Sequence, residues 1–246
     1  MGRTTQPHRE VVDLVRAALS GEPRVDLQRH PVHLVFEGGV LTMEGELATV
    51  AAKKLALERA AAVRDVRFVV DRLRVAPSRR MGDAEIRDHV CDALLGEPAL
   101  LGCAVAATVG QGQRTLRDPA GTGIAAAVQV TVADGIVTLD GEVPSLAHKR
   151  IAGVLAWWVP GTRDVVNGLE VVPPEQDTEG EISDAVRMVL EKDPLVDAGP
   201  IGVATRGAVV TLSGAVASEL QRDMAERDAW CVFGVDAVVN RLAARS

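Results

Sequence analysis

The feature that most constrains this chain is a motif that occurs three times. Residues 11–19 followed by Gly21-Glu22-Pro23 return as residues 86–94 followed by Gly96-Glu97-Pro98. They return again as residues 182–190 followed by Lys192-Asp193-Pro194. In each copy, apolar residues at i, i+4 and i+8 (Val11, Val15 and Leu19 in the first) mark one face of a helix, and the proline that follows ends it. A period found three times sets the architecture before any single segment is read.

A hairpin follows each helix. In copy two, Val128, Val130 and Val132 alternate with small or polar residues, then Asp134-Gly135 precedes a second alternating run from Ile136 to Val143. Alternation on both sides of an Asp-Gly pair is a strong short-range hairpin signal. Copy one places Gly38-Gly39 before residues 40–47. Copy three places Arg206-Gly207 before residues 209–216, with one extra residue that reads as a bulge. The turn glycines Gly39, Gly135 and Gly207 and the in-strand glycines Gly45, Gly141 and Gly214 are read as structural. An in-strand glycine weakens a strand, and close packing of a helix on the sheet is the expected reason. A second helix of about sixteen residues and a short closing strand (66–73, 164–169, 235–242) complete the unit.

The fold class is therefore α+β: three tandem αββαβ domains, each a three-stranded mixed sheet with two helices packed on one face. The expected bounds are 8–75, 82–172 with an insertion at about 101–127, and 180–244, separated by polar, proline-containing linkers at 76–80 and 173–177. The pattern Gly-x-Val-x-Leu-x-Gly-x-Val, then a helix, then Val-x-x-Val-Val-Asn-x-Leu resembles the BON domain, a bacterial module of osmotic-stress and envelope proteins. The resemblance covers nearly the whole chain. It implies the αββαβ fold, a binding role, often at phospholipid surfaces and in some members for potassium ions, and no catalytic residues.

Bulk properties narrow the classes further. Of 246 residues 47% are apolar, 25% charged and only 2% aromatic, so the cores are aliphatic and each of the three tryptophans calls for an explanation. A net charge of −7 gives no reason to expect nucleic acid. The charge is uneven: residues 1–81 carry 14 basic and 10 acidic side chains, and the remainder 13 and 24. That asymmetry fits a basic docking face or head-to-tail contacts, or simply a solvated surface. Cys91, Cys103 and Cys231 show no ligand spacing and read as structural thiols in a reducing compartment. Without an apolar leader or a membrane-length apolar run, the expected location is cytoplasmic, or periplasmic if a preceding segment is missing.

Catalytic signatures are not found: no GxSxG, no HExxH and no Ser-His-Asp order occurs. The five histidines are scattered without thiol or acidic partners at ligand spacing, so neither metal nor cofactor is expected. Acidic residues near the turns (Glu37, Glu44, Asp134, Asp140, Asp193 and Asp197) read as a solvated face. The insertion, with Arg114 and Arg117 beside paired glycines, reads as a flexible loop, with a phosphate-binding lid as the alternative.

The second helix of copy two is the most informative segment. Ala152, Leu155, Ala156 and Val159 repeat in the other copies and define its core face. At 3.6 residues per turn, Trp157 falls almost opposite, with Arg150 and Val154 on its side and Lys149 nearby. Trp230 takes the same repeat position in copy three, and Ala61 in copy one. Lys149, Arg150, Val154, Trp157 and Trp230 are thus the candidate interaction surface. Three explanations of an outward tryptophan stand: packing between neighbouring copies, contact with a protein partner or in a homo-oligomer, and an anionic phospholipid surface. The expected function is a non-enzymatic, stress-associated interaction protein; the alternative is a small-ligand or cation binder of potassium-like type.

Overall fold

The computed structural model describes residues 5–119 and 126–245, with side chains from His8 onward. Copy one runs α1 (Thr5–Ser20), β1 (Val32–Glu37), β2 (Val40–Leu47), α2 (Val50–Ala61) and β3 (Phe68–Val75). β1 and β2 form an antiparallel hairpin, and β3 joins β2 in parallel, giving the order β1-β2-β3. A parallel join needs a crossover, which α2 supplies. Val15, Leu19, Leu41, Met43, Leu47, Ala56, Ala60 and Leu73 are all fully buried between sheet and helices. Alternation puts every second strand residue under the helices and leaves the other sheet face open.

Copy three repeats this arrangement with α5 (Glu179–Lys192), β10 (Ile201–Arg206), β11 (Val209–Val216), α6 (Glu219–Cys231) and β12 (Ala237–Ala244), in the order β10-β11-β12. Copy two runs α3 (Asp83–Gly96), β4 (Ala104–Val109), β5 (Gly112–Arg117), β6 (Ala127–Ala133), β7 (Ile136–Val143), α4 (Leu146–Trp158), β8 (Asp164–Asn167) and β9 (Glu170–Val171). Thr49, Ser145 and Ser218 cap the second helices alike, each hydroxyl accepting from the backbone N–H three residues on. Residues up to 76 form one compact unit, and residues 77–245 form another.

The α+β class and the repeated two-helix, three-strand unit are as expected, and four details differ. The insertion is not a loop. β4 and β5 form a hairpin, and β4 pairs in parallel with β6, so copy two has the order β5-β4-β6-β7-β8. The Gly121-Thr122-Gly123 part of that stretch lies outside the described residues. Arg117 is not available to a phosphate: its nitrogens donate to the carbonyls of Leu95, Leu100 and Cys103.

The remaining differences concern turns, glycines and a linker. Copy three has no bulge: Arg206 pairs directly with Val209, so the two-residue turn is Gly207-Ala208 rather than Arg206-Gly207. The in-strand glycines do not make room for a helix. Gly141 has φ of 119°, and a Cβ there would strike the Ala127 carbonyl oxygen at the start of the partner strand. Pro31 and Pro200 carbonyls stand in the same way against Gly45 and Gly214. The linker at 173–177 is pinned rather than free, since Glu175 accepts from the Leu146 N–H and Asp177 pairs with Arg150.

Candidate interaction surfaces

The proposed outward face of α4 is occupied from within the chain. α4 packs against α5 and α6 as well as its own sheet. Val154 is fully buried, and Arg150 and Trp230 are each only 2% exposed. The expectation of an outward position is therefore corrected for these three, while Lys149 and Trp157 are half-buried. The reason is tertiary: a helical wheel separates the side facing a helix's own sheet from the rest, and here copy three covers much of the rest. Of the three explanations considered, packing between neighbouring copies describes what the structure shows.

This interface is polar at its edges and closed in the middle. The Arg150 guanidinium is spent on Asp177 and on the Phe233 carbonyl, 3.0 Å away. The Lys149 ammonium lies 4.8 Å from the centre of the Phe233 ring, a cation–π contact. The Trp158 indole N–H donates to Asp228 at 2.9 Å, and Lys192 from α5 pairs with buried Glu97 at 2.9 Å. Asp228 lies against Asp193, which is also buried, so Asp193 does not belong to a solvated face. Burial first, and the Asp193 carboxylate second, push the Asp228 carboxyl up to about 8. The participation of Asp193, Asp228, Glu97 and Lys192 escapes sequence reading because each is an ordinary polar residue whose partner lies in another copy or a distant element.

The first strands of the three sheets differ at their outer edges. In copy two the β6 edge is taken by β4, with Val105 beside Val128 and Ala107 beside Val130. In copy three Arg187 from α5 donates to the Val203 carbonyl of β10 at 2.7 Å, and Ser183 donates to Thr205 at 2.8 Å. In copy one Arg16 stands at the repeat position of Arg187 but, among the described residues, pairs with Asp13 alone, at 3.4 Å. A groove of about 450 Å³ opens there, lined by His8, Arg9, Val12 and Arg16 of α1 and by Leu34 and Phe36 of β1. His8 meets Phe36 edge-on with ring centres 5.8 Å apart. In the other copies an acid occupies the His8 position: Asp83 accepts from the N–H groups of Asp134 and Gly135, and Glu179 from that of Gly207.

The three cysteines are buried and form no disulfide, and burial pushes Cys91 up to about 11, which keeps it protonated and unreactive near neutrality. Among the described residues no cluster of His, Cys, Asp or Glu could hold a metal ion, and no helix is long and apolar enough to cross a membrane.

No curated protein is significantly similar to this chain. Among solved structures, the C-terminal domain of CdsD, the structural protein of the type III secretion system of Chlamydia trachomatis, is 14% identical, with a TM-score of 0.24 over 96% of this chain and 98% of that one. A second CdsD structure gives 14% identity and a TM-score of 0.25, covering 96% and 92%. The BON domain profile matches residues 10–77, 121–173 and 178–246. These segments contain the three αββαβ copies apart from the start of α1, the first helix of copy two and the β4–β5 hairpin. On that coverage, the chain belongs to the BON domain family.

Proposed function

We propose that this chain is a non-enzymatic interaction protein in which copies two and three form a joined scaffold and copy one supplies the docking surface for a protein partner. The observation that carries the reading is the α1–β1 groove: among the described residues nothing pairs with copy one's first-strand edge, where the equivalent edges of copies two and three are engaged by their own chain. Membership in a family of binding modules supports a non-enzymatic role. The α4 surface is a poor candidate for an external partner, because Arg150, Val154 and Trp230 already serve the contact between copies.

A second reading, docking on an anionic phospholipid surface, is favoured by the excess of basic side chains in residues 1–81. Photo-crosslinking separates the two. A crosslinking residue at Val35, 39% exposed on copy one, is expected to trap one discrete protein in the native host, and one at Leu220 of copy three is not. Lipid adducts at Val35 that disappear on reversing Arg9 and Arg16 would transfer the reading to the membrane. Equal adducts from both positions, or none, would defeat it.

A further inference from the structure

We infer that the β1 edge of copy one accepts an extended, acid-bearing strand from a partner protein, added in parallel beneath the α1 edge. This rests on the reading of copy one as the docking unit and assigns the geometry and chemistry of what docks. The argument begins inside the chain. β6 and β1 hold the same place in the repeat, since Val128 pairs with Gly141 as Val32 pairs with Gly45. At β6 the place beside this strand is filled by β4, an extended segment running parallel, with small side chains (Val105 and Ala107) buried under α3. The chain thus displays the occupant that such an edge takes. Copy one has the same edge, and among the described residues no strand pairs with it.

The backbone of β1 is ready for this pairing. Val203 of copy three lies opposite Leu212 as Leu34 lies opposite Met43, so the two occupy one register position. The Val203 carbonyl points away from its hairpin partner, because it receives the Arg187 guanidinium. By the same register the Leu34 carbonyl points into the groove, and among the described residues no side chain bonds to it. Unpaired edges of this kind are templates for an added strand, and proteins normally block them or use them. Copy two blocks its edge with a strand and copy three with an arginine.

The side chains select the occupant. Val12, Leu34 and Phe36 give the groove an apolar floor that suits alternate apolar residues on the incoming strand. At the repeat position where α3 has Cys91, buried in copy two, α1 has Arg16. A strand that follows the path of β4 passes this guanidinium, and Arg9 lines the same groove. Two guanidinium groups against the single carboxylate of Asp13 leave a place for an acid on the strand.

The test uses the full chain and a peptide with the sequence of residues 103–110, serine replacing its cysteine. Companion peptides carry aspartate at the Val105 or Ala107 position, or proline at Ala106, whose N–H faces the neighbouring strand in the β4–β6 register. An aspartate peptide is expected to slow hydrogen exchange at the β1 amides at least tenfold and to bind at least fivefold more tightly than its parent. The proline peptide should lose binding, because it cannot donate to the ladder. Arg16→Glu should abolish the preference for aspartate with an unchanged Tm, and Leu14→Glu, at an exposed α1 position outside the groove, should change nothing. The inference is overturned if no peptide protects β1 at millimolar concentration. It is equally overturned if protection appears without peptide and grows with protein concentration, which is self-pairing, or if only vesicles of anionic phospholipid protect α1. Failure of the peptides alongside a discrete protein adduct at Val35 would remove the strand geometry and leave the docking reading standing.

Discussion

The helices α2 and α4 occupy the same place in the repeat, and their inner faces match: Ala56 and Ala60 in one, Ala152 and Ala156 in the other, all fully buried. Their outer faces do not. Lys54, Glu58 and Ala61 of α2 correspond to Arg150, Val154 and Trp157 of α4; Glu58 and Ala61 are exposed, whereas Val154 and Arg150 are buried. One valine for one glutamate, flanked by an arginine with a precise acid partner, marks a helix that has acquired a second packing surface. The inner face of a repeat reports its fold, and the outer face reports its neighbours.

The sharpest way to break that contrast is to give α4 the outer residue of α2. Val154→Glu places a carboxylate at a fully buried site with no cation built to receive it, and a loss of roughly 4 kcal/mol is expected. All three tryptophans lie in residues 77–245, so chemical denaturation followed by tryptophan fluorescence reads this unit alone. An unchanged midpoint would show that the α4–α5–α6 contact contributes little. Arg150→Ala is the next largest. It strands the Phe233 carbonyl and the Asp177 carboxylate, but Asp177 is partly solvated, so about 2 kcal/mol is expected.

What could be read without coordinates follows from this asymmetry. The six helices, three hairpins and aliphatic cores were legible because periods of 3.6 and 2 are written locally, in residues such as Val11, Val15 and Leu19. The path of β4 was not. Its sequence of alanines, valines and a threonine pairs with β6 only because that edge lies open nearby, and no local period encodes a partner strand. For the same reason the sequence leaves three environments open for Trp230, and only the tertiary fold shows it 2% exposed within the chain. Val154 carries the clearest local signal: an apolar residue beside Arg150 and Lys149 on the candidate interaction face points to a neighbour.

A third effect is a pH dependence centred on Asp228 of copy three. Asp228 has its folded carboxyl at about 8 against an ordinary value of 3.8, through burial and then through Asp193, with Trp158 and Arg227 acting in the opposite direction. Between those values the folded state keeps a proton that the unfolded chain has released, so stability falls as pH rises from about 4 to 8. Asp228→Asn is expected to flatten that slope in the fluorescence-detected unfolding of residues 77–245. An identical slope in the variant would place the dependence elsewhere.

The smallest expected effect is the mirror substitution, and it tests the comparison from the other side. If outer positions matter only where a neighbour covers them, Glu58→Val in α2 should shift stability by no more than ~0.5 kcal/mol, because the site is exposed and no described hydrogen bond or ion pair of Glu58 is lost beyond the helix backbone. Copy one contains no tryptophan, so far-UV circular dichroism is the appropriate readout. The valine also extends the exposed apolar surface of α2, so sedimentation should accompany the melt. A monomer with an unchanged melt means that an apolar residue on the outer face is not sufficient for a second packing surface, and that α4 also needs the Arg150–Asp177 pair and the Phe233 carbonyl to fix its neighbour in place. A dimer would mean that Val154 alone carries most of the instruction, with the polar contacts setting orientation rather than attachment.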